Sequence, residues 1–189
     1  MKKAEVRELY KKKRFELSPN ELEKRSEAIC NLLFYQFQLA EKIISLFLPI
    51  ERHKEINTYV ILEKGMTLDS KIALPKMNVA TQTLKHILYE TQSQLEINSF
   101  GVPEPRYGKS INIKDIEIVL VPLLGIDIKG NRVGYGKGYY DKFLKKCTPS
   151  TLFIGLHLFD EHEVIDDLEP FDVRLHYCIT PTKVIRFAE

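Results

Sequence analysis

Glycine occupies every second position between 134 and 138 in the segment NRVGYGKGYYD, residues 131–141. Glycine permits positive φ angles and close backbone approach, so successive N–H groups can line a concavity for phosphate oxygens. Arg132 and Lys137 add positive charges, the first as a planar fork and the second as a mobile point charge. The segment therefore predicts a phosphate-binding loop, and a helix starting directly after it would add partial positive charge.

The loop matches neither of the two common nucleotide-binding patterns. G-x-x-x-x-G-K-[ST] fails because Gly138 stands where a magnesium-binding Ser or Thr would follow, and G-x-G-x-x-G is not matched. A metal accompanying a nucleotide would therefore need carboxylates, with Asp141 as the nearest candidate and Asp127 and Asp172 as further ones. From residue types alone, a mobile glycine-rich surface turn fits equally well, with the two following tyrosines packing the next helix.

The hydrophobic pattern predicts the strands and helices that would hold such a loop. Apolar side chains spaced three and four apart indicate an amphipathic helix over residues 2–15, and a capping box at residues 18–21 begins a second helix. Further helices are predicted at residues 56–64, closed by Gly65, and at residues 139–146. Short apolar or alternating runs predict strands at residues 42–48, 70–75, 84–89, 94–97, 116–122, 152–156 and 177–179. This alternation indicates an α/β sandwich.

Composition restricts the class of protein. A chain of 189 residues, 44% of them hydrophobic, suits a single domain, residues 1–189, with a continuous core. The 28 basic and 26 acidic residues nearly balance, so a general nucleic-acid or membrane partner is not expected. Cys30, Cys147 and Cys178 are widely spaced, which argues against a zinc site or a disulfide framework. Because no apolar stretch suits a signal peptide or a membrane span, we expect a cytoplasmic protein.

The segment VPLLGIDIKGNRVGYGKGYYDKFL, residues 121–144, resembles the signature of the 5-formyltetrahydrofolate cyclo-ligase (methenyltetrahydrofolate synthetase) family. The resemblance continues in family order through the basic first helix and the segments SLFLPIERHKEINT, GVPEP and ITPTKVI. It covers nearly the whole chain. The fold that it implies is a three-layer α/β sandwich around a mainly parallel sheet, similar to the NagB/RpiA/CoA-transferase-like fold.

The resemblance also implies a reaction. The family closes the N-5 formyl group of 5-formyltetrahydrofolate onto the N-10 amine, giving 5,10-methenyltetrahydrofolate while ATP becomes ADP and phosphate. Transfer of the γ-phosphoryl group to the formyl oxygen makes a leaving group, which the neighbouring amine displaces without a protein nucleophile. We therefore expect ATP as co-substrate, Mg²⁺ as the metal, and a cytoplasmic monomer with no nucleic-acid or membrane partner.

Site residues carry over from the family to matching positions of this chain. The implied ATP contacts are Lys3, Arg7, Arg132, Gly134, Gly136, Lys137, Gly138, Tyr139 and Tyr140. The implied folate contacts are Leu48, Glu55, Tyr135, Gly136, Lys137, Gly138 and Tyr139, with two extra residues between Leu48 and Glu55. Asp141 and Asp172 match the magnesium-associated acids. Arg132 and Lys137 are expected to stabilise charge on the transferring phosphoryl group and to act as the catalytic residues.

For three of these positions the residue itself gives no assignment or differs from the family pattern. Without the family, the helical face that carries Lys3 and Arg7 would be interpreted as solvated charge, because basic helix faces are common. Tyr135 stands at a position that varies within the family, so its side chain could alter contacts near the folate.

Two other functions stay open on the sequence. One is a nucleotide- or folate-binding module that has lost cyclisation, and the other is an RNA-binding protein that uses the basic first helix. The balanced charge and the lack of an aromatic-basic motif count against the second. The five histidines are expected at the surface or satisfied in the core, and the cysteines in ordinary packing. The acidic stretch at residues 161–167 is expected to be a solvated loop.

Overall fold

The computed structural model describes residues 1–188, which form four helices and twelve strands. The helices are α1 (Lys3–Glu16), α2 (Pro19–Gln36), α3 (Tyr59–Met66) and α4 (Tyr139–Leu144). The strands are β1 (Ile43–Ser45), β2 (Lys71–Asn78), β3 (Thr83–Leu88), β4 (Leu95–Ile97), β5 (Pro103–Pro105), β6 (Ser110–Ile111), β7 (Ile118–Pro122), β8 (Gly125–Ile126), β9 (Arg132–Val133), β10 (Leu152–Leu156), β11 (Tyr177–Ile179) and β12 (Val184–Arg186). Short 3₁₀ turns lie at Glu51–His53, Gln92–Gln94 and Ile113–Asp115.

One eight-stranded sheet, in the order β12-β11-β10-β7-β1-β2-β3-β6, organises the chain. The five strands from β11 to β2 are parallel to one another. Antiparallel strands close both edges, β12 on one side and the β3–β6 pair on the other. Two small pairs, β4–β5 and β8–β9, lie outside this sheet. The predicted sandwich around a mainly parallel sheet is confirmed.

The sheet is covered on both faces, which explains why its central strands are continuously apolar. In β7, Ile118 and Leu120 belong to one buried cluster, which includes side chains of α1, α2 and α3. Val119 and Val121, which alternate with them, belong to a second cluster that contains Phe143 of α4. Successive side chains of a strand point to opposite faces, so the sheet separates two helical layers.

Several predicted boundaries differ from those of the structure. The strand predicted at residues 42–48 ends after Ser45, because the chain leaves the sheet there and forms a cavity wall. Gly65 lies inside α3 and does not close it; the capping residue is Thr67. The strand predicted at residues 70–75 continues to Asn78 because β3 pairs with it in antiparallel register that far. Five short strands were not predicted: β5, β6, β8, β9 and β12.

Helix α1 is the element that carries the predicted cations Lys3 and Arg7 to the rest of the chain. It packs against the β8–β9 hairpin, where Val6 meets Gly125. A Cβ atom at Gly125 would lie 2.5 Å from Cγ1 of Val6, so only glycine permits this approach. No helix among the described residues has the length and apolar character that a bilayer crossing requires.

Candidate active site

A cavity of about 460 Å³ opens at the carboxyl ends of three parallel strands. Pro122 ends β7, Leu48 follows β1 by three residues, and Pro75 belongs to β2; all three line the cavity. The chain continues from β1 to β2 on one side of the sheet and from β7 toward β10 on the other, so the direction of the connections reverses between β1 and β7. Ligands of α/β sheets bind at such a point. The cavity wall contains every site residue that the family resemblance implies: Lys3, Arg7, Leu48, Glu55, Arg132, Gly134, Tyr135, Gly136, Lys137, Gly138, Tyr139, Tyr140, Asp141 and Asp172. Asp127, the other candidate metal ligand, does not line it and accepts hydrogen bonds from Asn131.

Arg132 begins β9 and forms the floor of the glycine-rich loop. Its guanidinium donates to the carbonyl oxygen of Val173 at 2.7 Å and to Oδ1 of Asp141 at 2.8 Å. The side chain is 5% exposed, so the pair with Asp141 is largely desolvated. The structure therefore holds this predicted catalytic group in one orientation, beside a predicted metal ligand.

The loop backbone turns around the side chain of Arg7. Gly136 has a φ of 88°, and a Cβ atom there would lie 3.2 Å from the central carbon of the Arg7 guanidinium. Nε of Arg7 donates to the carbonyl oxygen of Gly134 at 2.8 Å. The predicted contribution of a helix N-terminus is smaller than expected, because α4 contains only six residues. The positive charge of the site comes instead from side chains.

Lys137 lies at the rim of the loop, where it is exposed. Its Nζ lies 3.9 Å from the ring centroid of Phe100, a cation–π contact across the cavity. The carbonyl oxygen of Phe100 accepts a hydrogen bond from Arg52 at 2.6 Å. Arg52 and Phe100 also line the cavity, and neither was singled out from the sequence.

The two predicted metal ligands each carry a basic partner. Lys3 pairs with Oδ2 of Asp172, which also accepts from the backbone of Glu169. Asp141 uses Oδ1 for Arg132 and for the backbone N–H of Val173, the residue next to Asp172. Within residues 1–188, no group of three or more His, Cys, Asp or Glu is arranged to hold a metal ion. Any ion at this site would therefore need ligands from a bound molecule.

Glu55, the predicted folate contact, is buried in the cavity wall beside Tyr135 and Arg14. The Tyr135 hydroxyl donates to Oε1 of Glu55, and the Arg14 guanidinium donates to that hydroxyl at 2.9 Å. Arg14 was not predicted, although the sequence contains a signal for it. It follows Val6 and Tyr10 at intervals of four, on the apolar face of α1, where a charged side chain requires a buried partner.

Aromatic and aliphatic side chains complete the wall. Leu48 is buried three residues after the end of β1. Tyr139 packs against the core cluster that contains Val119, Val121 and Phe143. The hydroxyl of Tyr140 is buried and makes no hydrogen bond within the described residues. Burial raises the pKa of Tyr140, so its hydroxyl stays protonated. The cavity therefore combines an apolar surface with a few polar groups, as small-molecule sites do.

Two of the five histidines match the expectation of surface or satisfied positions, since His162 is exposed and His176 accepts the backbone N–H of Phe153. His53, His86 and His157 differ, because each has a buried ring nitrogen without a hydrogen bond among residues 1–188. His53 lines the cavity, with its ring centroid 5.4 Å from that of Tyr135 and its Nδ1 buried without a hydrogen bond among residues 1–188. Burial lowers the pKa of His53, so its ring is neutral near pH 7. His86 is buried against Phe143, and only its Nε2 is bonded, to Ser45 at 2.8 Å. The three cysteines are free.

The acidic stretch at residues 161–167 is more than a solvated loop. Most of its residues are exposed as expected, but four of its acids contact the first helix and the residues before it. Glu161 pairs with Lys13 at 3.2 Å, and Glu163 accepts from the Tyr10 hydroxyl at 3.0 Å. Asp166 and Asp167 accept from the backbone nitrogens of Met1 and Lys3. The stretch therefore helps to dock α1 over the cavity.

Comparisons with known proteins agree with this arrangement. The model of the 5-formyltetrahydrofolate cyclo-ligase family matches residues 1–181. A probable 5-formyltetrahydrofolate cyclo-ligase of Schizosaccharomyces pombe is 27% identical over 207 aligned residues and covers 98% of both chains. The solved 5,10-methenyltetrahydrofolate synthetase of Aquifex aeolicus superposes with a TM-score of 0.79 at 26% identity, covering 100% of this chain and 94% of that one. The solved 5,10-methenyltetrahydrofolate synthetase of Mycoplasma pneumoniae superposes with a TM-score of 0.76 at 25% identity, covering 96% of this chain and 99% of that one. The chain belongs to the 5-formyltetrahydrofolate cyclo-ligase family.

Proposed function

We propose that this protein converts 5-formyltetrahydrofolate and ATP into 5,10-methenyltetrahydrofolate, ADP and phosphate. The observation that carries the proposal is a single cavity lined by both predicted sets of contacts, cationic on the side of α1 and the loop, and apolar around Leu48. A phosphoryl group and the formyl group that receives it must meet in one space. The membership of the chain in the cyclo-ligase family supports the same reaction.

We assign four cationic side chains to the triphosphate of ATP: Lys3, Arg7, Arg132 and Lys137. They approach the glycine-rich loop from α1, from β9 and from the loop itself. Arg132 is already held in position, and a charge held in this way stabilises the transferring phosphoryl group without reorganising during the reaction. Arg132 and Lys137 are the proposed catalytic residues, because both belong to the loop that would surround the phosphates.

The reaction needs no protein nucleophile. The formyl oxygen attacks the γ-phosphorus and ADP leaves, which converts that oxygen into part of a phosphate ester. The N-10 amine then attacks the formyl carbon and loses its proton, and the carbon–oxygen bond breaks as inorganic phosphate departs. The protein holds the two nitrogens and the phosphates in place, which makes the ring closure intramolecular.

Asp141 and Asp172 fit a magnesium ion that is shared with the nucleotide. Mg²⁺ commonly binds one or two carboxylates and fills its other positions with phosphate oxygens and water. Both acids line the cavity, and the hydrogen bonds of each converge on a single oxygen, Oδ1 of Asp141 and Oδ2 of Asp172. The second oxygen of each is therefore suited to a cation. When bound, the ion would neutralise phosphate charge.

The folate would occupy the side of the cavity formed by Leu48, Glu55, Tyr135 and Tyr139. Leu48 and the tyrosine rings offer apolar and stacking surface to the pterin. Glu55 offers a buried acceptor for its N–H groups. A volume of about 460 Å³ lies within the usual range for small-molecule sites.

A direct assay tests the proposal. Purified protein is mixed with ATP, Mg²⁺ and 5-formyltetrahydrofolate, and the near-ultraviolet absorbance of the methenyl product is followed together with ADP release. We expect equal amounts of both products. Binding of ATP and folate without either product would contradict the enzyme and favour a binding module. Omission of Mg²⁺ with a chelator should stop turnover, and unchanged turnover would overturn the magnesium assignment.

The single-domain organisation over residues 1–189, the monomeric state and the cytoplasmic location remain predictions from the sequence, as does the lack of nucleic-acid and membrane partners. Sedimentation of the purified chain tests the monomeric state. Binding to RNA that weakens steeply with salt would contradict the prediction on nucleic acid.

A further inference from the structure

Arg14 is a buried cation that is anchored to a backbone carbonyl and reaches the folate side of the cavity through Tyr135 and Glu55. The residue is 3% exposed and lies in the last turn of α1. One terminal nitrogen donates to the carbonyl oxygen of Leu123 at 2.7 Å. The other donates to the hydroxyl of Tyr135 and lies 3.9 Å from Oε1 of Glu55. A buried guanidinium of this kind needs an anionic partner, and Glu55 supplies it.

Glu55 is held at both carboxylate oxygens. Oε2 accepts the backbone N–H of Ile50 at 2.7 Å, and Oε1 accepts the hydroxyl of Tyr135. An ionised carboxylate has about four acceptor positions, so these contacts leave others for a ligand. Because Glu55 lines the cavity, the remaining acceptor positions can serve a molecule bound there.

The direction of the hydrogen bonds gives Tyr135 a defined role. Burial raises the pKa of Tyr135, and the negative charge of Glu55 raises it further, so the hydroxyl stays protonated and donates to Glu55. The oxygen of the same hydroxyl accepts from Arg14. The ring of His53, whose centroid lies 5.4 Å away, packs against the tyrosine ring. Tyr135 thus connects the cation to the carboxylate.

We propose that Arg14 and Tyr135 are positioning residues that fix the Glu55 carboxylate as the acceptor for N–H groups of the folate pterin. The inference rests on the proposed function, because it takes the ligand on this side of the cavity to be a folate. The ring of Tyr135 can contact the pterin directly, whereas its hydroxyl acts through Glu55 and, among residues 1–188, hydrogen-bonds only to Glu55 and Arg14. Loss of the hydroxyl should therefore change the use of folate and leave the use of ATP unchanged.

Tyr135→Phe is the mildest test, because it removes one hydroxyl and keeps the ring. We expect the KM for 5-formyltetrahydrofolate to rise about tenfold, which corresponds to about 1.4 kcal/mol for a lost charge-assisted hydrogen bond. The KM for ATP should stay within about twofold. Arg14→Lys, which keeps the charge and loses the planar fork, should raise the same folate KM by a smaller factor.

Tyr10→Phe is the matched control. Tyr10 is also a buried tyrosine whose hydroxyl donates to a glutamate, Glu163, but it does not line the cavity. Both KM values should be unchanged in this variant. A rise in the folate KM of the same size in Tyr10→Phe would show that any loosening of α1 has this effect, and the proposal would be wrong.

A double variant separates positioning from direct contact. In the Glu55→Ala background no side-chain oxygen remains to accept the Tyr135 hydroxyl, so adding Tyr135→Phe should change the folate KM by less than about threefold. A full tenfold change in that background would show that Tyr135 acts independently of Glu55. An unchanged folate KM in Tyr135→Phe alone would equally overturn the proposal.

The failure of the proposed function can be told apart from the failure of this inference. If the unaltered protein yields no methenyl product, the proposed function fails at the first measurement. Calorimetric binding of 5-formyltetrahydrofolate then replaces KM as the readout, and equal affinity of the unaltered protein and Tyr135→Phe overturns the inference.

Discussion

The floor and the rim of the glycine-rich loop present the same charge in opposite settings. Arg132, on the floor, is buried and gives its guanidinium to Asp141 and to a backbone carbonyl. Lys137, on the rim, is exposed and forms no ion pair within residues 1–188; its ammonium lies over Phe100. Both were predicted for the same role from residue type. Their surroundings show that one is fixed before a ligand arrives and the other has to move.

The two cations contribute to the site in different ways. A fixed cation needs no reorganisation when negative charge develops on the transferring phosphoryl group. Its buried hydrogen-bond partners, however, lose a compensating partner if the cation is removed. A mobile cation contributes little to folding, and it must leave its resting contact before it reaches a phosphate. The comparison therefore predicts that substitutions at the two positions separate stability from turnover.

The largest effect is expected for Arg132→Ala. Turnover should fall by at least about 10²-fold, the scale for losing one preorganised donor. The free energy of unfolding should also fall by about 3 kcal/mol, because Asp141 and the carbonyl of Val173 lose a buried partner. Denaturant unfolding and the absorbance assay measure the two changes. Arg132→Lys is the control, and it should recover only part of the stability because the planar fork is lost. An unchanged unfolding midpoint in Arg132→Ala would remove the distinction between floor and rim.

Lys137→Ala should affect turnover alone. We expect a loss of at least about 10²-fold in kcat with ATP and folate saturating. The free energy of unfolding should stay within about 0.5 kcal/mol, as for surface substitutions without special contacts. Lys142→Ala provides the comparison, because Lys142 is exposed, and the contact of its ammonium is with the side chain of Gln82. Near-normal turnover in Lys137→Ala would rule out its catalytic role.

The smallest effect is expected for Phe100→Leu, which removes the ring beneath the resting ammonium. An exposed cation–π contact contributes about 0.5–1 kcal/mol, and here it competes with phosphate for Lys137. The KM for ATP should therefore fall by about two- to fivefold. Phe34→Leu removes a ring beneath Lys64 outside the cavity, at 4.7 Å, and should leave the KM unchanged. A higher KM for ATP in Phe100→Leu would mean that the ring helps to hold the bound state.

Local patterns in the sequence predicted most elements but not their limits. The capping box at Ser18 and Glu21 begins α2 as expected, because both hydrogen bonds form between neighbours in the chain. Strand β1 is shorter than its apolar run, since Phe47 and Leu48 lie beyond the end of the strand, buried in the cavity wall. Burial makes both kinds of segment apolar, so hydropathy does not separate them. Strand β12 depends on pairing with β11, which no local signal reports.

In the candidate site, too, local features were predictable and long-range contacts were not. The glycine spacing, the cations and the following acid belong to one segment, so the loop could be recognised from consecutive residues 131–141. Arg14 and His53 belong to segments far from the loop in sequence, and their approach to Tyr135 depends on how α1 and the turn after β1 pack. The partners of the acidic stretch at residues 161–167 were likewise not predictable, because they depend on where α1 lies in the fold.

By itself, then, the sequence determined the chemical inventory: a loop able to surround phosphate, enough apolar surface for a sheet covered on both faces, and the family to which they belong. The burial and the partners of each group follow from its position in the fold. The tertiary structure buries Arg132 and exposes Lys137, and it joins Arg14, Tyr135 and Glu55 into one network. The physical reason is that charge and hydrogen-bonding capacity are properties of a residue, whereas desolvation and partners are properties of its surroundings.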